Sequence, residues 1–399
     1  MKATVPSSEE IAQAYDKVRQ FFPPSPLTFS PIVSELLDRE IYFKWDNKLR
    51  TGSFKERGAI NFLLSLSSKE RKQGVCAASA GNHALALSLY ARKLKIPCSI
   101  VMPEFAPLVK VQWSKQFGAE VILQGNTFDD AYSFAKSLAR KQRRTFVPPF
   151  DHPLIIAGQA SCGLEIIEQL PDLDQVIVPV GGGGLISGIA LAMKSYNKKI
   201  QVTGVRSEWV TKVAQHSKLL PNVTIADGIA VKTIGEITGK IIKSKVDQLV
   251  AVSEDQIARG IIALLEYERT VVEGAGAAAF AALLARRVPR CRGKIVVLAC
   301  GSNIDMNLIS RLIERDMGQH DRLLRVRIAV PDRPGSLSAL TRVLAELRAN
   351  VLEVLHDRSF SKTPGSVDVQ FILEVRNSAH KRQIMQELQR VGFSAQAEN

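Results

Sequence analysis

The stretch Thr51-Gly52-Ser53-Phe54-Lys55-Glu56-Arg57-Gly58 decides how the rest of the chain is read. It sets one amine in a Gly/Ser loop that leads into an apolar helical run from Ala59 to Leu66. A lysine there lies near the positive end of a helix dipole, in a pocket that can desolvate it. Both effects disfavour the ammonium form and favour a neutral, nucleophilic amine. Such an amine can form a Schiff base with an aldehyde. A surface lysine near a helix start carries the same local pattern, so the motif needs support from elsewhere in the chain.

Working outward, apolar strand-like runs alternate with helical runs from about Ile41 to about Asp321. The strand-like runs include Gly74 to Ala78, Cys98 to Met102, Val121 to Leu123, Gln175 to Val180, Gln201 to Val205 and Lys294 to Cys300. Helical runs between them include Ala84 to Leu94, Leu185 to Ser195 and Asp255 to Glu266. This alternation predicts a doubly wound α/β architecture with mainly parallel sheets. After Gln319-His320-Asp321-Arg322 the pattern changes. The remainder reads as strand (Leu324 to Val330), helix (Leu337 to Arg348), strand (Val351 to Leu355), strand (Val367 to Arg376), helix (Ala379 to Val391) and strand (Phe393 to Gln396). That is a βαββαβ unit of ferredoxin-like type, a small α+β domain.

Composition sets the bounds. The 399 residues are enough for two or three domains, and 46% hydrophobic with 23% charged content is that of a soluble globular protein. No signal-peptide pattern is read at the N-terminus, where Ser7 and Glu10 form a capping box ahead of Ile11, Tyr15, Val18 and Phe22 at helical spacing. The long uncharged run Val176 to Met193 is interrupted by Pro179 and Gly181 to Gly184, so it reads as strand, loop and helix, not as a membrane span. The five cysteines are odd in number and form no CxxC pair. They fit reduced thiols in a cytoplasm, with neither a disulfide framework nor a zinc site. The net charge of +14 is spread along the chain and mixed with acids, and Arg140, Lys141, Arg143 and Arg144 merely end a helical run. Nucleic acid is therefore not expected as a partner, whereas anionic substrates and a phosphate-bearing cofactor suit a basic protein.

Three further segments support the lysine. Ser79-Ala80-Gly81-Asn82-His83 follows a strand-like run and opens a helix. Small residues at a helix N-terminus leave backbone N–H groups for an anion such as a substrate carboxylate; plain capping by Ser79 or Asn82 is the simpler alternative. Gly181-Gly182-Gly183-Gly184 joins a strand to a helix. Consecutive glycines let the backbone wrap a phosphate, and a tight turn alone needs fewer. The run is neither the spaced dinucleotide fingerprint nor a P-loop, so a mononucleotide-like cofactor is indicated. Cys300-Gly301-Ser302-Asn303 ends a strand, where open α/β sheets bind ligands. A thiol there can meet a ring nitrogen, or it can be a buried structural cysteine.

Together these four segments resemble the fold type II pyridoxal-phosphate enzymes, and most closely the threonine/serine dehydratase (ammonia-lyase) family. Pro103-Glu104, Ala106-Pro107, Gly118-Ala119-Glu120, Ala157-Gly158-Gln159, Thr224-Ile225-Ala226-Asp227-Gly228 and Glu273-Gly274-Ala275-Gly276 share in the resemblance, which covers nearly the whole chain. The tail, with Pro331-Asp332-Arg333-Pro334-Gly335, resembles a single ACT domain. The implied organisation is a catalytic domain over 1–322, with a smaller subdomain at about 47–154 and a larger one from 1–46 plus 155–322. An ACT-like regulatory domain follows over 323–399.

The resemblance also implies roles. Lys55 is the cofactor-bearing lysine and the base that removes the Cα proton. Phe54 packs beside the cofactor ring. Ser79, Gly81, Asn82 and His83 bind the substrate carboxylate, and Asn82 also touches the ring hydroxyl. Gly181, Gly182, Gly183 and Gly184 hold the cofactor phosphate, and Cys300 faces the pyridine nitrogen. A thiol cannot strongly hold that nitrogen protonated, which favours β-elimination over transamination. Gly335, at the turn into the first helix of the tail, is the candidate effector-binding position.

Three departures from the family pattern matter. Ala80 stands where serine racemases carry a serine that acts on the second face. Arg206 stands where many relatives place a metal-binding glutamate, so no metal is expected. Ala160-Ser161 replaces the usual Gly-Thr after Gly158-Gln159. The expected activity is conversion of L-threonine to 2-oxobutanoate and ammonia, with some action on L-serine. Alternatives are an L-serine dehydratase, a hydroxyaspartate dehydratase, a serine racemase or a non-catalytic amino-acid sensor. A cytoplasmic homo-oligomer, dimer or tetramer, with an amino-acid effector at the ACT-like unit and no membrane partner, completes the expectation.

Overall fold

The chain divides into two compact units, Met1–Ile304 and Asp305–Asn399. The computed structural model describes residues 4–210, 224–291, 293–357 and 365–398. In the first unit the strands are β1 (Leu27–Phe29), β2 (Ile41–Trp45), β3 (Val75–Ala78), β4 (Cys98–Met102), β5 (Glu120–Leu123), β6 (Thr145–Phe146), β7 (Gln175–Pro179), β8 (Gln201–Ser207), β9 (Gln248–Val252) and β10 (Ile295–Ala299). They form two sheets, in the orders β1-β2-β10-β7-β8-β9 and β5-β4-β3-β6. Within these sheets, among the described residues, only the β1–β2 pairing is antiparallel. Every residue of β3, β4, β7 and β10 is buried, because helices cover both faces of a parallel sheet. That is why these strands read as unbroken apolar runs.

The structure moves one boundary. The helix at the lysine motif is Lys55–Leu64, so Lys55 itself occupies the first helical position. The glycine at 58, read from sequence as part of the loop, lies inside the helix for a packing reason. A Cβ on Gly58 would come within 2.5 Å of Gln159 Nε2, and one on Gly158 within 2.6 Å of the Arg57 carbonyl oxygen. The two glycines let this helix cross the helix Pro153–Gln169 at close range.

Behind that crossing lies a buried charge network. Arg57 donates from Nε and Nη2 to the Asp46 carboxylate, both at 2.8 Å, and from Nη1 and Nη2 to Glu165 at 2.6 and 2.8 Å. Lys44 Nζ donates to Glu165 at 2.7 Å, to Gln169 at 2.8 Å and to the Ser25 carbonyl at 2.8 Å. Lys44, Asp46 and Arg57 are fully buried and Glu165 nearly so. Two cations thus neutralise two carboxylates. Burial pushes Asp46 up, but Arg57 outweighs it and holds the carboxyl below its usual value. The same pairing raises Arg57 against the opposing effect of burial.

The second unit opens with the helix Met306–Gln319 and continues as β11 (Leu323–Pro331), the helix Ser336–Glu346, β12 (Asn350–Asp357), β13 (Ser366–Glu374), the helix Ser378–Arg390 and β14 (Ser394–Glu398). Its antiparallel sheet has the order β12-β13-β11-β14, the ferredoxin-like βαββαβ arrangement. Alternate residues of β11 and β13 point into one core: Leu324, Val326, Ile328 and Val330 meet Val367, Val369, Phe371 and Leu373.

The buried network yields a stability prediction. Arg57→Met leaves Asp46 and Glu165 sharing Lys44 in a dry interior. We expect a loss of about 3–5 kcal/mol, the usual cost of stranding a buried charge. Urea unfolding followed by tryptophan fluorescence should show the midpoint falling.

Candidate active site

The lysine loop is fastened to the carboxyl end of β10. Phe54 N–H donates to the Cys300 carbonyl at 3.1 Å, and Ser302 N–H donates to the Gly52 carbonyl at 2.9 Å. An antiparallel bridge joins Ser53 to Gly301. Asn303 Nδ2 donates to the Thr51 carbonyl at 3.0 Å. Lys55 is thereby set beside Cys300, at the strand end where α/β sheets place ligands.

Lys55 Nζ donates to the Pro149 carbonyl at 2.8 Å and lies 5.2 Å from the centre of the Phe54 ring. Burial drives its pKa down to about 8, against the raising effect of Cys300 and Glu273. Cys300 is 3% exposed. Burial, reinforced by Glu273, pushes its thiol well above the usual range, so it stays protonated. His83 is driven down to about 3, first by burial and then by Lys55. Its neutral ring donates from Nε2 to the Val147 carbonyl at 3.2 Å. The imidazole therefore points into the core as a neutral group, and His83 can contact a carboxylate only through its backbone N–H.

The segment Ser79–His83 leads from β3 into the helix Asn82–Lys93. Neither simple capping alternative holds. Gly81 is the N-cap, and no side chain caps the helix. Ser79 Oγ accepts from Gly81 N–H at 3.2 Å, upstream of the helix. Asn82 instead donates from Nδ2 to Glu273 Oε1 at 2.8 Å, and its Oδ1 accepts from Asn303 Nδ2. The first turn holds no acidic residue, and a Cβ on Gly81 would meet open space. An uncapped helix start facing space suits an anion.

The four glycines answer to sterics as well as to any ligand. A Cβ on Gly182 would lie 2.4 Å from the Phe150 ring, and one on Gly184 would lie 3.1 Å from Phe150. One on Gly181 would lie 3.1 Å from the Gly228 carbonyl. Gly183 has φ +94° and caps the helix Gly184–Tyr196 without a side-chain hydrogen bond. The Gly182 carbonyl accepts from Thr238 Oγ1 at 2.8 Å, which holds the loop in shape. Packing thus excludes a side chain at Gly182, φ favours glycine at Gly183, and Gly181 and Gly184 are only tight; the uncapped N–H groups that remain are what a phosphate can use.

The lysine, the Ser79–His83 loop, Cys300 and Glu273 converge, by hydrogen bonds or by electrostatic influence on Lys55. The glycine loop comes from β7, whose neighbour β10 carries Cys300. Sequence reasoning gave no role to Glu273, to the Pro149 carbonyl or to Thr238. Glu273 stood inside a motif already noted. The other two contribute through the backbone or through a distant loop, which leaves no local signal. Arg206 lies at the end of β8 and donates to the Val231 carbonyl at 3.3 Å. A buried amine that is readily neutral, a protonated thiol and two uncapped helix starts are residues of the kind that hold a phosphorylated aldehyde cofactor with an anionic substrate.

Comparison with known proteins agrees with this architecture. Residues 18–301 match the family described as pyridoxal-phosphate dependent enzyme, and residues 324–393 match the ACT domain. The chain belongs to the pyridoxal-phosphate-dependent enzymes of fold type II, in the threonine-dehydratase-like group that carries a C-terminal ACT domain. It is 42% identical to an L-threonine ammonia-lyase of Thermotoga maritima over 392 residues, covering 96% of this chain and 98% of that one. It is 41% identical to an L-threonine ammonia-lyase of Geobacter sulfurreducens, covering 96% and 97%. Among solved structures, a processed threonine deaminase of Solanum lycopersicum matches with TM-score 0.70 and 34% identity, over 78% of this chain and 89% of that one. A serine racemase of Dictyostelium discoideum matches with TM-score 0.70 and 32% identity, over 76% and 100%.

The Lys55 environment gives a direct test in the cofactor-free protein. Trapping by a small aldehyde and borohydride should label Lys55 with a midpoint near pH 8, ahead of surface lysines. Peptide mapping after graded labelling measures the order. Labelling of Lys55 no earlier than the surface amines would contradict its desolvation.

Proposed function

We propose that the chain is a pyridoxal-phosphate-dependent ammonia-lyase that converts L-threonine to 2-oxobutanoate and ammonia by β-elimination. L-Serine, giving pyruvate, would be the secondary substrate. The observation that carries this reading is Lys55, a buried amine with its pKa lowered to about 8, in a loop fastened to Cys300 and within electrostatic reach of His83. The identity with two L-threonine ammonia-lyases over both units supports the choice of threonine.

When bound, pyridoxal phosphate supplies a carbonyl carbon for an amine and a ring that takes up the electron pair freed at Cα. Lys55 takes the Cα proton, and its lowered pKa suits a base working near neutrality. The substrate carboxylate rests on the start of the helix Asn82–Lys93, held by Ser79, Gly81, Asn82 and the His83 backbone. Gly181, Gly182, Gly183 and Gly184 would hold the phosphate at the start of the helix Gly184–Tyr196. Phe54 would pack against the ring, and Cys300, a neutral thiol, would lie at its nitrogen and offer it no strong counter-charge. Ala80 has no proton to deliver on the opposite face, so racemisation is disfavoured despite the likeness to the Dictyostelium enzyme.

The activity test uses the purified chain with added cofactor. We expect kcat/KM for 2-oxo acid release to be higher with L-threonine than with L-serine or hydroxyaspartate, and D-serine to be a minor product. Lys55→Ala should lose the visible absorbance of the lysine-linked cofactor, and turnover should fall by at least about a hundredfold. D-Serine as the major product, or retained turnover in the variant, would refute the reading.

Regulation through the second unit is part of the proposal. Gly335 has φ +91° and caps the helix Ser336–Glu346 with no side-chain hydrogen bond, so its backbone N–H groups can meet an effector carboxylate. A Cβ at Gly335 would meet nothing within 4 Å, so the intramolecular reason for glycine is its φ. The edge strand β12 exposes Leu352, Val354 and Leu355, a surface suited to side-by-side pairing in a dimer or tetramer. We expect isoleucine or a related apolar amino acid to shift the threonine saturation curve, and Gly335→Asp to abolish that shift. Initial rates against threonine with and without the amino acid decide it, and an equal shift in the variant would remove Gly335 from the effector site.

A further inference from the structure

Glu273 precedes the helix Gly274–Leu284 and is 4% exposed. Its carboxyl accepts from Asn82 Nδ2 at 2.8 Å, and the nearby Asn303 backbone N–H favours its charged form. Its own backbone N–H donates to the Gly301 carbonyl at 3.0 Å. The surrounding chain makes room for this carboxyl. A Cβ on Gly301 would lie 2.1 Å from Glu273 Oε1, and one on Gly228 would lie 3.3 Å from the same atom. Asn303 grips the other end of the Asn82 amide, donating from Nδ2 to Asn82 Oδ1, and is itself tied to the Thr51 carbonyl at 3.0 Å. A carboxamide has two N–H donors and two acceptor lone pairs. With one donor on Glu273 and one lone pair on Asn303, one N–H and one lone pair stay available to a ligand. A flipped amide would set Oδ1 against a carboxylate oxygen and Nδ2 against the Asn303 amide nitrogen, so the clamp admits one orientation.

We propose that Glu273 is a positioning residue that fixes the Asn82 amide in one orientation toward the substrate site and so sets substrate affinity. This rests on the reading above, in which Asn82 contacts the substrate. The grip depends on the charge of the carboxyl, because a carboxylate accepts more strongly than the neutral acid. The groups acting on it are Asp227 of the turn Asp227–Ile229, Lys110 of the helix Leu108–Gln116, Lys55, and Cys300 at the end of β10. Lys110 is paired with Asp227 at 2.7 Å, which blunts both. Burial first, then Asp227, raise Glu273 to about 7, while the Asn82 hydrogen bond and Lys110 oppose them. The carboxylate, and with it the tighter grip, therefore forms as pH rises through about 7.

Two variants and two readouts test this. In cofactor-free protein labelled at asparagine side chains, the Asn82 amide nitrogen resonance should move with a midpoint near pH 7. It should be static in Glu273→Gln, which keeps an acceptor and loses the titration. In the holoenzyme, KM for threonine should fall as pH rises from about 6 to about 8. Relative to that curve Glu273→Gln should be flat, and Glu273→Ala should raise KM about tenfold with a smaller change in kcat. An Asn82 resonance indifferent to both pH and the Gln substitution would overturn the proposal. So would a KM profile that both substitutions leave unchanged. If the Ala variant does not fold, the Gln comparison alone decides. A wild-type protein without threonine turnover would refute the activity reading instead, and the resonance would still show whether Glu273 clamps Asn82.

Discussion

The buried pairing of Arg57 with Asp46 and Glu165 is the constraint on which the site depends. Arg57 sits two positions after Lys55 on the same helix, and residues so spaced point to different sides. Holding the guanidinium by four hydrogen bonds to carboxylates on one side leaves Lys55 directed to the other. Asp46 follows β2, and Glu165 lies in the helix Pro153–Gln169, so the network also fixes that helix against the sheet. A dry, hydrogen-bonded ion cluster tolerates little displacement, because each charge would lose its partner where water cannot replace it. The close crossing at Gly58 and Gly158 acts in the same sense.

Around Lys55, burial shifts groups toward their neutral forms. The amine is shifted toward neutrality, the Cys300 thiol keeps its proton, and His83 is uncharged. Attraction for anions then comes from backbone N–H groups at two uncapped helix starts. Fixed dipoles of this kind need no counter-ion and do not reorganise when a ligand changes charge. Such a site has the make-up to take a carboxylate and a phosphate beside an amine shifted toward its basic form. The overall charge of +14 contributes at most a general attraction for anions.

How the two sheets of the first unit meet also matters. Asn82 stands at the start of a helix that follows β3, in the four-stranded sheet. Glu273 and Asn303 flank β10, in the six-stranded sheet. Their hydrogen bonds cross between the two layers at the candidate site. The lysine loop, tied by backbone hydrogen bonds to Cys300 and Ser302, joins the same junction.

Much of this was legible in the amino-acid order. The apolar runs of β3, β4, β7 and β10, the capped helix at Ser7 and the βαββαβ tail are local or periodic signals, and periodicity survives any tertiary arrangement. The lysine motif and the glycine run were legible for the same reason, since turn and helix-start chemistry is local. Other features came only from packing. Glycine at 58 looked like loop until the crossing helix showed that a side chain there would displace the buried Gln159 amide. Glycines at 181–184 looked like a ligand signature, yet the Phe150 ring already excludes a side chain at 182 and a positive φ favours glycine at 183. The Asn82–Glu273 clamp joins residues 191 apart, and the Arg57–Glu165 pair joins residues 108 apart. Sequence determined which side chains were available and which stretches form strands and helices. Tertiary structure decided which of them meet and how much water each loses, and hydration sets the charge state that the chemistry uses.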